Sequence, residues 1–283
     1  MLVIAHRGFS SQYTENTIVA FKHALMLDVD AIELDIHQVE HEFLVFHDPY
    51  VNKLTNGKGR IFDLPLTEVR QLLVKGEDQI PTLSEVAALV GDRVILNIEV
   101  KSLLCVQEFV VYVKQLITEH NCKVVISSFD HPVLMAIKMS FSDFIEAELL
   151  LEEPSAGEEP SAGEEPSAGK EPSAHKIPSA GEEPSAHKKP STFPVEFGAL
   201  IAHAPFDHAK YAGTLGVAIA ATDWNTVNAD FVEDAHARGK KVWCYTVNHE
   251  ETLVDLIDMG VDGIFTDRPD WARQFISQRD GNT

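Results

Sequence analysis

The chain has 283 residues and a formal net charge of −21, with 45% hydrophobic residues, enough for a sizeable core. So acidic a balance argues against a nucleic-acid binder that works by neutralising phosphates, and against simple electrostatic attachment to an anionic membrane surface. Three widely spaced cysteines, Cys105, Cys122 and Cys244, fit neither a disulfide framework nor a zinc pattern.

No uncharged run approaches the roughly 20 residues that a bilayer span needs, so stable membrane insertion is not expected. The opening MLVIAHRG carries neither a basic leader nor an apolar h-region, and the expected location is cytoplasmic.

Along the chain, short β-branched runs alternate with segments of helical period. A first strand near residue 2 precedes a helix over 17–27, and DAIELDIHQV follows as a strand whose return arm is FLVFHD. Helices are predicted over 66–73 and 83–90, a strand in RVILNIEVK, a long helix over 106–119, a strand in KVVISSF and a helix over 131–140. Beyond a low-complexity stretch come FGALIAHAP, a segment around 207–215, GVAIAAT, a helix over 229–237, KKVWCYTVN, a helix over 250–259 and DGIFTD. Glycines directly behind helix ends match the usual C-terminal stop. Eight strands, starting near residues 2, 31, 94, 123, 197, 217, 241 and 262, predict a closed (β/α)8 TIM barrel. No Gly-x-Gly-x-x-Gly loop follows the first strand, which argues against a dinucleotide fold.

Barrel enzymes keep their chemistry at the C-terminal ends of the strands. There the first strand supplies His6 and Arg7. The second carries Glu33 and Asp35, two apart and so on one face, with His47 and Asp48 ending its return arm. The third ends with Glu99 and Lys101, the fourth with Ser127-Ser128-Phe129, the seventh with Tyr245 to Asn248 and the eighth with Thr266-Asp267. Ile32, Leu34 and Ile36 take the face that packs against helices, which forces Glu33 and Asp35 inward. Three carboxylates converging there repel one another unless a cation sits between them, and an all-oxygen set suits Mg²⁺ or Ca²⁺ better than Zn²⁺. Arg7 can grip phosphate oxygens bidentately and Lys101 adds a point charge, while two imidazoles suit acid/base work near neutral pH. His37 reads as a structural or rim residue. The constellation points to metal-assisted phosphoryl transfer or phosphodiester hydrolysis.

The stretches AHRGF with TENT, ELDI, LVFHD, LTNGKGRIFDL, IPTLSEV, LNIEVK, ISSF, YTVN and GVDGIFTDRP occur in an order that resembles the glycerophosphodiester phosphodiesterase family. The resemblance implies a single barrel domain over 1–283 with a small insertion over 47–81, and one divalent cation, Mg²⁺ or Ca²⁺, held by Glu33, Asp35 and Glu99. It further implies His6 and His47 as the acid/base pair, and Arg7 and Lys101 as phosphate ligands. The substrate would be a small-molecule glycerophosphodiester, split to sn-glycerol 3-phosphate and an alcohol, with Phe129 and Tyr245 lining the mouth beside the alcohol portion. Thr14, Lys53 and VEHE depart from the family pattern and bear on loop shape. Alternatives are phospholipase D-like hydrolysis of lysophospholipids at the same site, or a non-catalytic scaffold; the full set of site residues speaks against the latter.

Residues 152–191 hold a repeating hexapeptide of the form EEPSAG, which falls between the helix after the fourth strand and the fifth strand. Proline every six residues is incompatible with a regular helix, and the composition cannot build a core. A solvated, disordered or polyproline-like loop is expected on the face opposite the mouth, with an unknown partner if any, and with His175 and His187 outside any metal site.

Overall fold

A computed structural model describes residues 1–152 and 195–280. Its first half contains β1 (Leu2–Ala5), α1 (Ile18–Ala24), β2 (Ala31–Val39), β3 (Glu42–Val45), α2 (Leu66–Val69), β4 (Leu73–Val74), β5 (Asp78–Gln79), α3 (Leu83–Val90), β6 (Ile95–Ser102), α4 (Val106–His120), β7 (Lys123–Ser128) and α5 (His131–Glu152). Its second half contains β8 (Val195–Ile201), α6 (Lys210–Leu215), β9 (Ile219–Asp223), α7 (Ala229–Ala237), β10 (Lys241–Tyr245), α8 (Glu250–Asp258), β11 (Gly263–Thr266) and α9 (Pro269–Asp280). The expectation of a disordered or polyproline-like hexapeptide loop lies outside the described residues.

Eight strands pair in parallel in the order β1-β2-β6-β7-β8-β9-β10-β11, and β11 returns to β1. The predicted (β/α)8 barrel is therefore closed, and closure removes the sheet edges. β3 folds back antiparallel on β2, pairing Ile36 with Val45 and Val39 with Glu42.

The period-2 alternation of strands sorts side chains into two layers. Val3, Ile32, Leu34, Leu96 and Ile126 point outward into the core shared with the helices. Ile4, Ala31, Val125, Leu200, Trp243 and Phe265 point inward and fill the lumen. Toward the C-terminal ends of β2, β6 and β7 the buried inward positions turn polar: Glu33, Asp35, Asn97, Glu99 and Ser127.

Between β3 and α3, Val51, Ile61, Val69, Val74 and Ile80 form a separate small cluster with Leu44 and Phe46. Here the helix predicted over 66–73 stops at Val69. Leu73 and Val74 instead pair with Gln79 and Asp78 across a turn in which Lys75 (φ 48°) and Gly76 (φ 80°) are both left-handed. α5 runs on to Glu152, past the predicted end at 140. α9 lies beyond the last predicted strand and packs Ala272 and Ile276 on the core. Its start has a legible signal, Pro269 at the first helical position followed by Asp270. No helix among the described residues is long and apolar enough to cross a membrane.

Trp243 lies opposite Gly263 in the β10–β11 register, and a Cβ at 263 would sit 2.9 Å from the indole Cδ1. The ring is 1% exposed and has no room to withdraw. Gly263→Ala should lower unfolding free energy by about 1–3 kcal/mol, the usual cost of overpacking, as a reduced midpoint in urea denaturation.

Candidate active site

A cavity of about 190 Å³ opens at the C-terminal ends of the strands. His6, Arg7, Glu33, His47, Glu99, Lys101, Phe129 and Tyr245 all line it. Asp35, the remaining predicted site residue, belongs to the same cluster but is fully buried.

One carboxylate oxygen each from Glu33, Asp35 and Glu99 can be chosen so that all lie within 4.8 Å of one another. The three are charged very differently. Burial alone would raise the Asp35 carboxyl, but Lys101 and Arg7 hold it down at about 2. Lys101 Nζ is 3.1 Å from Asp35 Oδ1 and Arg7 Nε 3.1 Å from Oδ2. Asn16 donates to the same Oδ2 at 2.8 Å. Burial and the Asp35 charge push Glu33 up to about 8, and the same two causes raise Glu99 although Lys101 contacts it. The cluster thus lacks positive charge. Glu33 Oε1 has no hydrogen-bond partner, and Asp35 Oδ1 has only the poorly aligned Lys101 ion pair. Unsatisfied buried carboxylate oxygens and an all-oxygen donor set fit a hard divalent cation.

Arg7 is held in the left-handed region (φ 56°), an uncommon conformation for a bulky residue. This lets its backbone N–H donate to Glu33 Oε2 at 2.9 Å while its side chain spans Asp35 and Glu15, the latter at 2.8 Å. Behind it, Gly8 (φ 84°) passes so close to α1 that a Cβ would lie 2.8 Å from the Ala20 carbonyl carbon. Only glycine fits that crossing.

Each predicted histidine is anchored by a carboxylate. His6 Nδ1 is 2.7 Å from Asp267 Oδ1, and Asp267 is itself fixed by Ser10 Oγ at 3.0 Å and Asn248 Nδ2 at 2.7 Å. His47 Nδ1 is 2.7 Å from Asp48 Oδ1. In both rings Nε2 is left for the cavity. Burial disfavours the charged form of both, yet the two diverge. For His6, the Asp267 hydrogen bond and the Glu33 charge outweigh burial and raise the imidazole above its usual value. For His47, burial together with Arg7 and Lys101 outweighs Asp35 and Asp48 and lowers it.

His37 is structural, as expected: Nδ1 meets Ser102 Oγ at 2.8 Å and Nε2 the His47 carbonyl at 3.1 Å, which ties β2 to the return arm. Phe129 and Tyr245 meet edge-to-face at 5.7 Å, with Lys101 Nζ 5.7 Å from the Phe129 ring centroid. Lys53, one of the departures noted above, lies 3.6 Å from Asp48 at the rim.

Sequence reasoning gave no role to Asp267, Asp48, Asn16 or Glu15. All four sit in stretches it had quoted, but contacts between the first and last strands, such as His6 to Asp267, have no local periodicity to reveal them. Replacing Asp267 by Asn removes the charge that sustains the His6 imidazolium, so His6 should titrate at lower pH in an NMR titration of the imidazole protons. An unmoved His6 titration would contradict the pairing.

The face is the one where barrels place their chemistry, and what is gathered there suits phosphoryl oxygens: the class is a phosphoric diester hydrolase. The chain belongs to the Glycerophosphoryl diester phosphodiesterase family, whose model matches residues 6–271. It is 41% identical to a glycerophosphodiester phosphodiesterase of Caldanaerobacter subterraneus over 48% of this chain and 61% of that one. It is 29% identical to one of Bacillus altitudinis over 95% of this chain and 96% of the relative. The fold is shared with an Oleispira antarctica phosphodiesterase solved in complex with its product sn-glycerol-3-phosphate (TM-score 0.72, 23% identity, 98% of this chain and 97% of that one).

Proposed function

We propose that this enzyme hydrolyses small glycerophosphodiesters to sn-glycerol 3-phosphate and an alcohol, using one divalent cation, Mg²⁺ or Ca²⁺. The observation that carries the reading is the charge-deficient cluster of Glu33, Asp35 and Glu99 beside Arg7 and Lys101, facing two imidazoles in one cavity. Glu33, Asp35 and Glu99 would hold the cation, which when bound supplies Lewis-acid polarisation of phosphoryl oxygens. Arg7 and Lys101 bind the phosphate. His6, whose proton affinity the Asp267 hydrogen bond raises, holds a proton at Nε2 for the leaving alcohol oxygen. His47, whose proton affinity burial, Arg7 and Lys101 lower, accepts at Nε2 a proton from the attacking water. Two like groups pushed in opposite directions divide acid from base.

A second reading has its own support. Leu104, Phe129 and Phe206 are exposed on the loops after β6, β7 and β8, which all lie on the mouth side. Such an apolar rim suits a lysophospholipid cleaved in a phospholipase D-like manner at the same site.

The assay that separates these is release of glycerol 3-phosphate from glycerophosphocholine with Mg²⁺ or Ca²⁺, against hydrolysis of lysophosphatidylcholine. We expect turnover of the former that a chelator abolishes, that Glu33→Ala reduces at least about 10²-fold, and that deletion of residues 154–189 spares. Higher kcat/KM on lysophosphatidylcholine would favour the lipid reading, and no turnover of either the scaffold.

The kcat/KM profile should be bell-shaped. Activity falls as pH drops through the lowered His47 value, where the base becomes protonated, and again as pH rises through the raised His6 value, where the acid loses its proton. Asp267→Asn should cut kcat by up to about 10²-fold and move the alkaline limb alone to lower pH.

A further inference from the structure

Two side chains in the cavity have no place in the chemistry described so far. Asn97 and Ser127 are 1% and 3% exposed and line the cavity. Neither Asn97 Nδ2, Asn97 Oδ1 nor Ser127 Oγ has a hydrogen-bond partner. Three unpaired polar atoms in one small buried patch are costly, because each loses its hydrogen bonds to water without gaining one from the protein. Apolar residues of similar size would fold at lower cost, as Val125 does on the same strand just below Ser127.

Their position says what they face. Asn97 pairs in register with Glu33 on β2, and Ser127 with Glu99 on β6, so both lie on the inner wall beside the carboxylates. Their atoms are also complementary to an alcohol group. The amide offers two donors and an acceptor, and the hydroxyl offers one donor and two lone pairs. A diol, each of whose oxygens both donates and accepts, satisfies that set.

Resting on the reading above, we infer that Asn97 and Ser127 are the specificity residues for the glycerol arm, pairing with its free hydroxyls while the phosphate lies against Arg7 and Lys101. The substrate hydroxyls make the bonds that no protein group makes. A site built to hydrogen-bond a hydroxyl discriminates strongly against an analogue that lacks it, because the analogue leaves buried polar groups unpaired.

The test compares two diesters in the full chain with saturating Mg²⁺ or Ca²⁺: glycerophosphocholine, and bis(4-nitrophenyl) phosphate, which has no alcohol hydroxyl. For Asn97→Leu and Ser127→Ala, the ratio of kcat/KM for glycerophosphocholine to that for bis(4-nitrophenyl) phosphate should fall about 10²-fold relative to the parent. The melting temperature of each variant, measured with a chelator, should equal or exceed that of the parent, since an orphaned polar group is removed. A constant ratio would overturn the inference, as would an equal loss on both diesters accompanied by weaker cation binding, which would make these residues supports of the cation. Ser127→Ala, the smaller change, decides the matter if Asn97→Leu does not fold. A parent inactive on both diesters would instead refute the enzymatic reading itself.

Discussion

The site depends on one buried charge. Asp35 has no contact with solvent, and a carboxylate in that position persists only when it is paired and hydrogen-bonded. Arg7 and Lys101 supply the pairing from the ends of β1 and β6, and Asn16 supplies the hydrogen bond from the loop before α1. The three partners come from segments far apart in the chain, so forming the Asp35 cluster assembles the mouth. It also sets the electrostatics of its neighbours. Glu33 makes no ion pair with either cation and meets Arg7 at its backbone N–H, so burial and the Asp35 charge raise its carboxyl. A deficit of positive charge beside an arginine and a lysine is what a cation and a phosphate together would relieve.

The same logic separates two chemically identical side chains. His6 and His47 each have an aspartate at Nδ1 and charges of both signs around them, yet the balance differs. For His6 the Asp267 hydrogen bond and Glu33 outweigh burial and Arg7, whereas for His47 burial with Arg7 and Lys101 outweighs Asp35 and Asp48. Neither histidine carries this asymmetry alone. It follows from which strands flank each one, and hence from the order of strands around the barrel.

Much of this was legible from local pattern. The Glu-x-Asp of β2 and the Glu-x-Lys of β6 share a face because strands have a period of two, and the intervening isoleucines, leucine and valine fix which face is inside. That alternation alone places Glu33, Asp35, Glu99 and Lys101. What was not legible required closure. Asp267 reaches His6 across 261 positions, and no spacing rule covers such a contact. The turn at Lys75-Gly76 was missed because apolar residues at 66, 69, 72 and 73 keep a helical period although the helix itself ends at Val69. α5 exceeds its predicted length for a related reason: over its whole length the helix has little amphipathicity to read, so the pattern gives no clear end.

Within the lumen, stability and function are divided by height. The lower inward positions are apolar and close-packed, to the point that Trp243 leaves no room for a Cβ at residue 263. One or two pleats higher the same strands present carboxylates, an amide and a hydroxyl, several of them without partners. A barrel can carry such a destabilised layer because each strand contributes to both levels, and the packed level holds the register that the polar one needs. β8 shows the division along one strand: it starts at Val195, while the site draws on its far end, where the Ile201 carbonyl accepts a hydrogen bond from the Tyr245 hydroxyl.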